Sequence, residues 1–467
     1  MLDAVVVGSG PNGLAAAVTL AQAGKSVKVL EGNPTIGGGT RTEELTEPGV
    51  LHDVCSAVHP FGIGSPFLSS LDLDRHGLHW AHPPVPFAHA LEDGDAVLIH
   101  RSIDETAVGL GADGDEWKAV FGNTVANWDT TVRLATAPPL RAIRNPVAGL
   151  RLARRALRSG THLAGRFSSE RSRAVIAGLA AHSVAPLDTA TAGGVALVLG
   201  ASAHAVGWPF AQGGSAAITD ALASVLESLG GEIETNRWIR RMGDLPDTRL
   251  VLFDTSPQAA VSIAGDRMTP GTRRRYRRRP KGPGVFKLDI VTDGPIPWIN
   301  ESLGAAGTVH LGGTFDEIAD AEARTAAGEH PERPFVLLAQ PLVADRTRAP
   351  QGSGIVWAYC HVPVGSTQDM TEQIIGQIER FAPGFASRIR SMTIRGPGDF
   401  EADNPNYIGG DITGGPISLR GVFARPKLFN PYRAGNGIYL CSASTPPGSG
   451  VHGMCGHHAA NAALKGR

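Results

Sequence analysis

The sequence predicts an α/β protein of two domains, and three of its stretches carry that prediction. Residues 2–31 read as a strand, a glycine-rich turn, a helix and a second strand. Residues 213–257 read as a helix returning into strands, and residues 437–464 as a strand, a turn and a final helix. Strand–helix alternation of this kind belongs to a parallel sheet with helices packed on its faces.

The first stretch, "LDAVVVGSGPNGLAAAVTLAQAGKSVKVLEG", holds its pieces in a required order. Residues 4–7 are a β-branched apolar strand, and Gly8, Ser9, Gly10, Pro11, Asn12 and Gly13 fit GxGxxG. An alanine-rich helix over 14–23 stops at Gly24, and a second strand over 27–30 ends at Glu31. The glycines allow a tight turn, close approach of a pyrophosphate and close helix–strand packing. The helix start offers unpaired N–H groups and a positive dipole end to phosphate. Glu31 stands 23 residues after Gly8, where an acid accepts both hydroxyls of an adenosine ribose. That acid favours a free 2′-hydroxyl, hence FAD or NAD rather than NADP. A lone GxGxxG is weak evidence; the complete strand–helix–strand–acid unit is specific.

"NPTIGGGTRTEEL" follows, with Gly38 and Gly39 inside a glycine run and then Thr40, Arg41 and Thr42. It reads as a second loop pressed against a cofactor, with an arginine for phosphate, or as a surface loop. The stretch 213–242 reads as a helix with apolar residues at Ile218, Leu222, Val225, Leu226 and Leu229, ending at a glycine pair and passing into a strand pair. "TRLVLFDTSP" (248–257) reads as a short buried strand.

Composition excludes several classes. A length of 467 residues suits two domains, and 42% hydrophobic with 19% charged residues describes a soluble globular chain. A net charge of −1 gives no reason to expect nucleic acid, and "TRRRYRRRPK" (272–281) reads as an exposed loop or helix end. Four cysteines without a CxxC pair are too few for a disulfide scaffold. The start of the chain lacks the charged and apolar regions of a secretory leader, and the low-charge stretch 174–210 reads as buried core. A cytoplasmic protein is expected. Residues 133–173 carry ten arginines and one acid, Glu170. They read as a solvated face, a contact in a homo-oligomer, or a peripheral attraction to a membrane surface or anionic ligand.

The glycine run before Arg41 is similar to the GG doublet and arginine of the flavin amine oxidase and phytoene desaturase superfamily. It departs from that family's RxGGR form by lacking the first arginine. "GIYLCSASTPPGSGVHGMCGHHAANAAL" (437–464) resembles the C-terminal signature of phytoene-desaturase-like proteins. "HDVCSAVHP", "NPNYIGGDITGG" and "STPPGSGVHGMCG" resemble most closely the branch named pyridine nucleotide-disulfide oxidoreductase domain-containing protein two. The resemblance covers almost the whole chain.

It implies a Rossmann-like, glutathione-reductase-type FAD-binding domain, discontinuous over 1–65, 213–265 and 430–467. A mixed α+β substrate-binding domain would take 66–212 and 266–429. FAD would be held by Gly8, Gly10, Pro11, Asn12, Gly13, Glu31, Gly38, Gly39, Thr40, Arg41, Thr42, Ile239, Ser444, Gly450, Val451, His452 and Gly453. The implied activity is an FAD-dependent oxidoreductase, a dehydrogenase, desaturase or oxidase, passing a hydride from a small, largely apolar or amine-containing substrate to flavin N5. A flavin-dependent isomerase and a flavin-binding interaction protein are the alternatives.

Three residues are candidates for chemistry. Lys287, in "GPGVFKLDIVTDGPIPW", alternates on one strand face with Val285 and Asp289; it reads as an edge-strand lysine in water. By resemblance to flavin amine oxidases it holds a water against N5. His59, with His52 and Cys55, follows the glycine–arginine loop and reads as a base, a flavin attachment point or a core histidine. Asp411, in "NPNYIGGDITGG", is a candidate proton acceptor or part of a conformational turn. His452, Cys455, His457 and His458 look at first like a metal site. His452 and His458 lie about 9 Å apart along a helix, however, too far to share an ion, and no metal is expected.

Overall fold

The structure, a computed structural model, describes residues 1–138, 157–416 and 429–466. Two sheets organise it. The first runs in the order Arg433–Gly435, Ile438–Leu440, Thr248–Phe253, Leu2–Val7, Val27–Leu30, Glu232–Glu234. Its neighbours are parallel except for the hairpin of the two strands nearest the C-terminus. Counted along the chain, the parallel strands stand in the order 3-2-1-4-5, that of a dinucleotide-binding α/β sheet. The fold class is α/β with a Rossmann-like domain and a second sheet, as the sequence predicts.

Alternate residues of the central strand explain its unbroken apolar run. Ala4 and Val6 pack into one cluster with Leu14 and Val18 of the Pro11–Gln22 helix, Leu222, and Ala459 of the Met454–Leu464 helix. Val5 and Val7 pack into another with Phe253, Ala260 and Val261. Both faces are covered, so neither can be polar. The first and last helices meet at Gly456, where an added Cβ would lie 1.7 Å from the Asn12 carbonyl oxygen.

The second sheet runs Ile389–Arg395, Gly284–Asp293, Ser353–Val362, Val336–Ala339, Ala306–Leu311, Val85–Ala90, Ala96–Ile99. It is antiparallel apart from the Ala306–Leu311 and Val85–Ala90 pair. Phe286, Leu288 and Ile290 face a cluster containing Ile374 and Ile378 of the Thr371–Phe381 helix. Val285, Leu337, Trp357 and Tyr359 face the cluster of the Glu170–Ala181 and Ala192–Ala205 helices. Lys287 lies on a strand paired on both sides, so the edge-strand expectation is corrected.

Those two helices account for most of the low-charge stretch. Among the described residues no helix is long and apolar enough to cross a membrane. Of the basic stretch, Arg141, Arg144, Arg151, Arg154 and Arg155 lie outside the described residues. Arg166, Arg171 and Arg173 pair with Glu116, Asp95 and Glu170. The second basic run forms the Pro270–Arg277 helix, whose Tyr276 is fully buried.

Gly456→Ala should cost about 1–3 kcal/mol or more, because the methyl group must push two helices apart. The denaturant midpoint of the purified variant measures it; an unchanged midpoint would contradict the close crossing.

Candidate functional site

A cavity of about 760 Å³ is lined by both halves of the fold. From the first sheet come Val7, Leu30, Asp254 and Ser442, each at or just beyond the carboxyl end of a parallel strand. This is where α/β sheets bind ligands. Gly8, Gly10, Pro11, Asn12, Glu31, Gly38, Gly39, Thr40, Ile239, Ser444, Gly450, Val451 and His452 line it too. From the second half come Trp208, Thr308, Leu337, Ala339, Trp357 and Tyr359, with His182, Val195, Val198 and Leu199.

The glycine turn is shaped by a residue that the motif does not include. A Cβ on Gly8 would lie 2.7 Å from the Asp254 carbonyl oxygen, and one on Gly10 2.7 Å from Asp254 Oδ2. Gly13 donates its N–H to the same Oδ2 at 2.8 Å, and its own Cβ would collide with the Gly8 carbonyl. Gly13 therefore serves close packing rather than the cavity wall. Burial pushes the Asp254 carboxyl up to about 7; the Glu31 charge adds to this and the Gly13 N–H opposes it. Sequence reasoning missed Asp254, although an acid directly after the buried strand of "LVLFD" was a usable signal.

Glu31 is held in place. Its Oε2 accepts from the Ser9 N–H at 2.9 Å and the Ser9 hydroxyl at 2.6 Å, and Oε1 accepts from the Asn33 N–H at 2.9 Å. Gly38 packs on Gly10, and a Cβ on Gly39 would meet the Tyr407 hydroxyl. Thr40 donates to the Gly37 carbonyl at 2.8 Å. Arg41 is turned to Glu43 and to the carbonyls of Gly38 and Asp403, away from the cavity wall. Thr42 accepts from the Ala216 N–H and donates to Asp53, so it too positions other groups.

His59 lies fully inside. Ser215 donates its hydroxyl hydrogen to the Ser56 carbonyl at 2.6 Å and so accepts from His59 Nε2–H at 2.7 Å. That leaves Nδ1 as an acceptor, buried and without a protein partner. Burial lowers the ring to about 4 against the opposing charge of Asp53. Asn12 Oδ1 and Ser442 Oγ are likewise buried, cavity-lining and unpartnered. These atoms, with Thr308 Oγ1 also buried and unpartnered in the cavity wall, fit a polar ligand that supplies the missing hydrogen bonds.

Lys287 departs from its expected role. Its ammonium reaches both oxygens of Asp289 at 2.6 and 2.5 Å and the Asp53 carbonyl at 2.8 Å. Three donors meet three acceptors, and none is left to hold a water. Asp411 accepts from the Gly282 N–H, the Thr413 N–H and the Thr413 hydroxyl. It sets the loop bearing Ile412, Thr413 and Gly414, which line the cavity, and does not line it itself.

The last helix begins at Met454, so His452 lies before its first turn. Gly453, at φ 66°, caps it against Ala15 and Phe67 rather than facing the cavity. His452 Nδ1 accepts from the Met454 N–H at 3.0 Å, and burial lowers the ring to about 4. Cys455 contacts the Gly448 carbonyl, His457 the Thr19 hydroxyl and His458 the Thr136 carbonyl. Among the described residues no group of three His, Cys, Asp or Glu side chains is placed to hold a metal ion.

Trp357 and Tyr359 carried no signal in "SGIVWAYCHV"; only strand pairing with Ala339 and Leu337 shows which face they share. The model of the NAD(P)-binding Rossmann-like domain matches residues 6–69, the stretch holding the glycine turn and Glu31. Pyridine nucleotide-disulfide oxidoreductase domain-containing protein 2 of Mus musculus is 25% identical over 99% of this chain and 93% of its own length. The lycopene-forming phytoene desaturase of Pseudescherichia vulneris is 24% identical over 55% of each chain. The chain is their homologue. Putrescine oxidase shares the fold, with a TM-score of 0.61 at 17% identity over 99% of this chain and 98% of that one. The chain is thus similar in sequence to oxidoreductases that include phytoene desaturases, and in fold to putrescine oxidase.

Two outcomes follow from the buried charges. Lys287→Met strands Asp289 without its partner and should destabilise the fold by about 3–5 kcal/mol, while leaving any reoxidation rate of a bound cofactor unchanged. Chemical denaturation and stopped-flow spectroscopy separate the two effects. Burial also lowers His59, His89, His204 and His452 to about 4 and His182 to about 3. The unfolded chain takes up protons near 6.5 that the folded chain refuses, so stability should fall from pH 6.5 towards 4, by up to about 1.4 kcal/mol per histidine per pH unit. Thermal midpoints at pH 7.5 and 5 read this; equal midpoints would refute it.

Proposed function

We propose that the chain is an FAD-dependent dehydrogenase, desaturase or oxidase that removes a hydride from a C–H bond of a small, largely apolar or amine-containing substrate. The observation that carries this reading is one cavity lined both by the dinucleotide turn and by an apolar wall of the second sheet.

Glu31, braced by Ser9, would take the ribose hydroxyls, with Ile239 against the adenine. The turn of Gly8, Gly10, Pro11 and Asn12, at the start of a helix with no side-chain cap, would take the pyrophosphate. Gly38, Gly39, Thr40, Ser444, Gly450, Val451 and His452 would line the flavin portion. A bound flavin supplies the two-electron chemistry itself.

The chain's own residues bind, orient and exclude water. Val195, Val198, Leu199, Leu337 and Ala339 give the substrate an apolar wall, and His59 offers a neutral acceptor. Lys287 and Asp411 act at a distance, by fixing Asp53 and the 412–414 loop. Purified protein should be yellow, and anaerobic amines or alkenes of the right shape should bleach the flavin band. Glu31→Ala should weaken FAD retention roughly tenfold or more, since a hydrogen bond to a charged group contributes about 1.5–3 kcal/mol. Colourless protein that takes up no added FAD would sink the reading.

A further inference from the structure

The apolar wall carries an unexplained polar spot. Thr308 is 1% exposed, lines the cavity, and its Oγ1 has no hydrogen-bond partner. It stands on the Ala306–Leu311 strand opposite Ala339, and so shares the sheet face of Trp357. Leaving a buried hydroxyl unpaired is costly, so such groups as a rule find a partner.

Two residues along the same strand face is His310, whose Nε2 lies 3.1 Å from Nε2 of the cavity-lining His182. Burial keeps both rings neutral. One Nε2 donates and the other accepts. His310 Nδ1 is buried without a partner. If His182 donated, His310 would carry its hydrogen on Nδ1 and bury an N–H with no acceptor. If His310 donates, its Nδ1 is a bare lone pair, which is less costly to leave unmet. His310 therefore donates, and His182 carries its own hydrogen on Nδ1, the nitrogen it can offer to the cavity. The ring of Trp208 stands edge-on to His182 at 5.6 Å between centroids and helps to fix it.

We infer that Thr308 and His182 form a polar subsite that recognises a hydrogen-bond-accepting oxygen, such as a ketone or aldehyde carbonyl, on an otherwise apolar substrate. This deepens the proposed oxidoreductase reading and rests on it for the word substrate; the subsite as a binding site stands on its own geometry. A site built to hydrogen-bond an oxygen discriminates against the analogue lacking it, because its own donors are then left unpaired. A pure hydrocarbon is thus the poorer ligand.

The test compares 2-undecanone with 2-methyl-1-undecene, which have the same shape with CH2 in place of the oxygen. Binding to the purified holoprotein is read from the fluorescence of Trp208 and Trp357, both on the cavity wall. The ketone should bind about threefold to tenfold more tightly per hydrogen bond. Thr308→Val should lose most of its share of that preference, and Thr308→Ser should keep it. Equal affinities, a preference untouched by Thr308→Val, or binding of neither probe overturns the subsite. Colourless protein that still prefers the ketone keeps the subsite and removes FAD from the scheme.

Discussion

Everything around the cavity depends on how Asp53 is held. Its carboxylate, fully buried, accepts from Arg348 at 2.5 Å, from the Ser215 N–H at 2.7 Å and from the Thr42 hydroxyl at 2.9 Å. Burial pulls its pKa up, but Arg348 and these donors outweigh that and hold it below the usual carboxylate range. Its carbonyl accepts from Lys287 and from the Trp357 indole. One residue next to the glycine–arginine loop thereby ties the first sheet's domain to two strands of the second. Removing Arg348 would leave the Asp53 carboxylate buried without its cation, which is why such a network fixes a single arrangement rather than merely adding stability.

The consequence reaches the cavity within a few residues. Cys55, Ser56, Ala57, Val58 and His59 follow Asp53 and line the cavity. Ser215 binds both Asp53 and His59, so the histidine's orientation is set by the same hub. Beside the glycine turn the constraint is steric: Gly456 lets the last helix lie on the first, which brings Gly450 to His452 beside the residues of that turn. A polar hub and a close helix crossing together close one binding space from segments hundreds of residues apart.

Much of the first half was legible because its signals are local. Strand, glycine turn, helix and acid follow each other within 31 residues, and each has its own physical cause. The alternation at 285–290 likewise divided Lys287 and Asp289 correctly from Phe286, Leu288 and Ile290. What could not be read was where an alternating residue ends up relative to a second strand. Lys287 shares a sheet face with cavity-lining Tyr359, yet lies one strand beyond the wall and is consumed by Asp289. Arg41 follows a glycine run in a cofactor-like context but finds Glu43 and two carbonyls instead.

By itself, then, the sequence determined the α/β class, the position of the dinucleotide turn and the acid that ends the second strand. These depend on backbone conformation and on neighbours a few residues away. Tertiary structure alone decided that Asp254 shapes the glycine turn, that Asp53 joins the sheets, and that Thr308, His182, Trp357 and Tyr359 face one cavity. Each of those is a contact between segments distant in the chain, settled by strand register and burial, which no local pattern encodes.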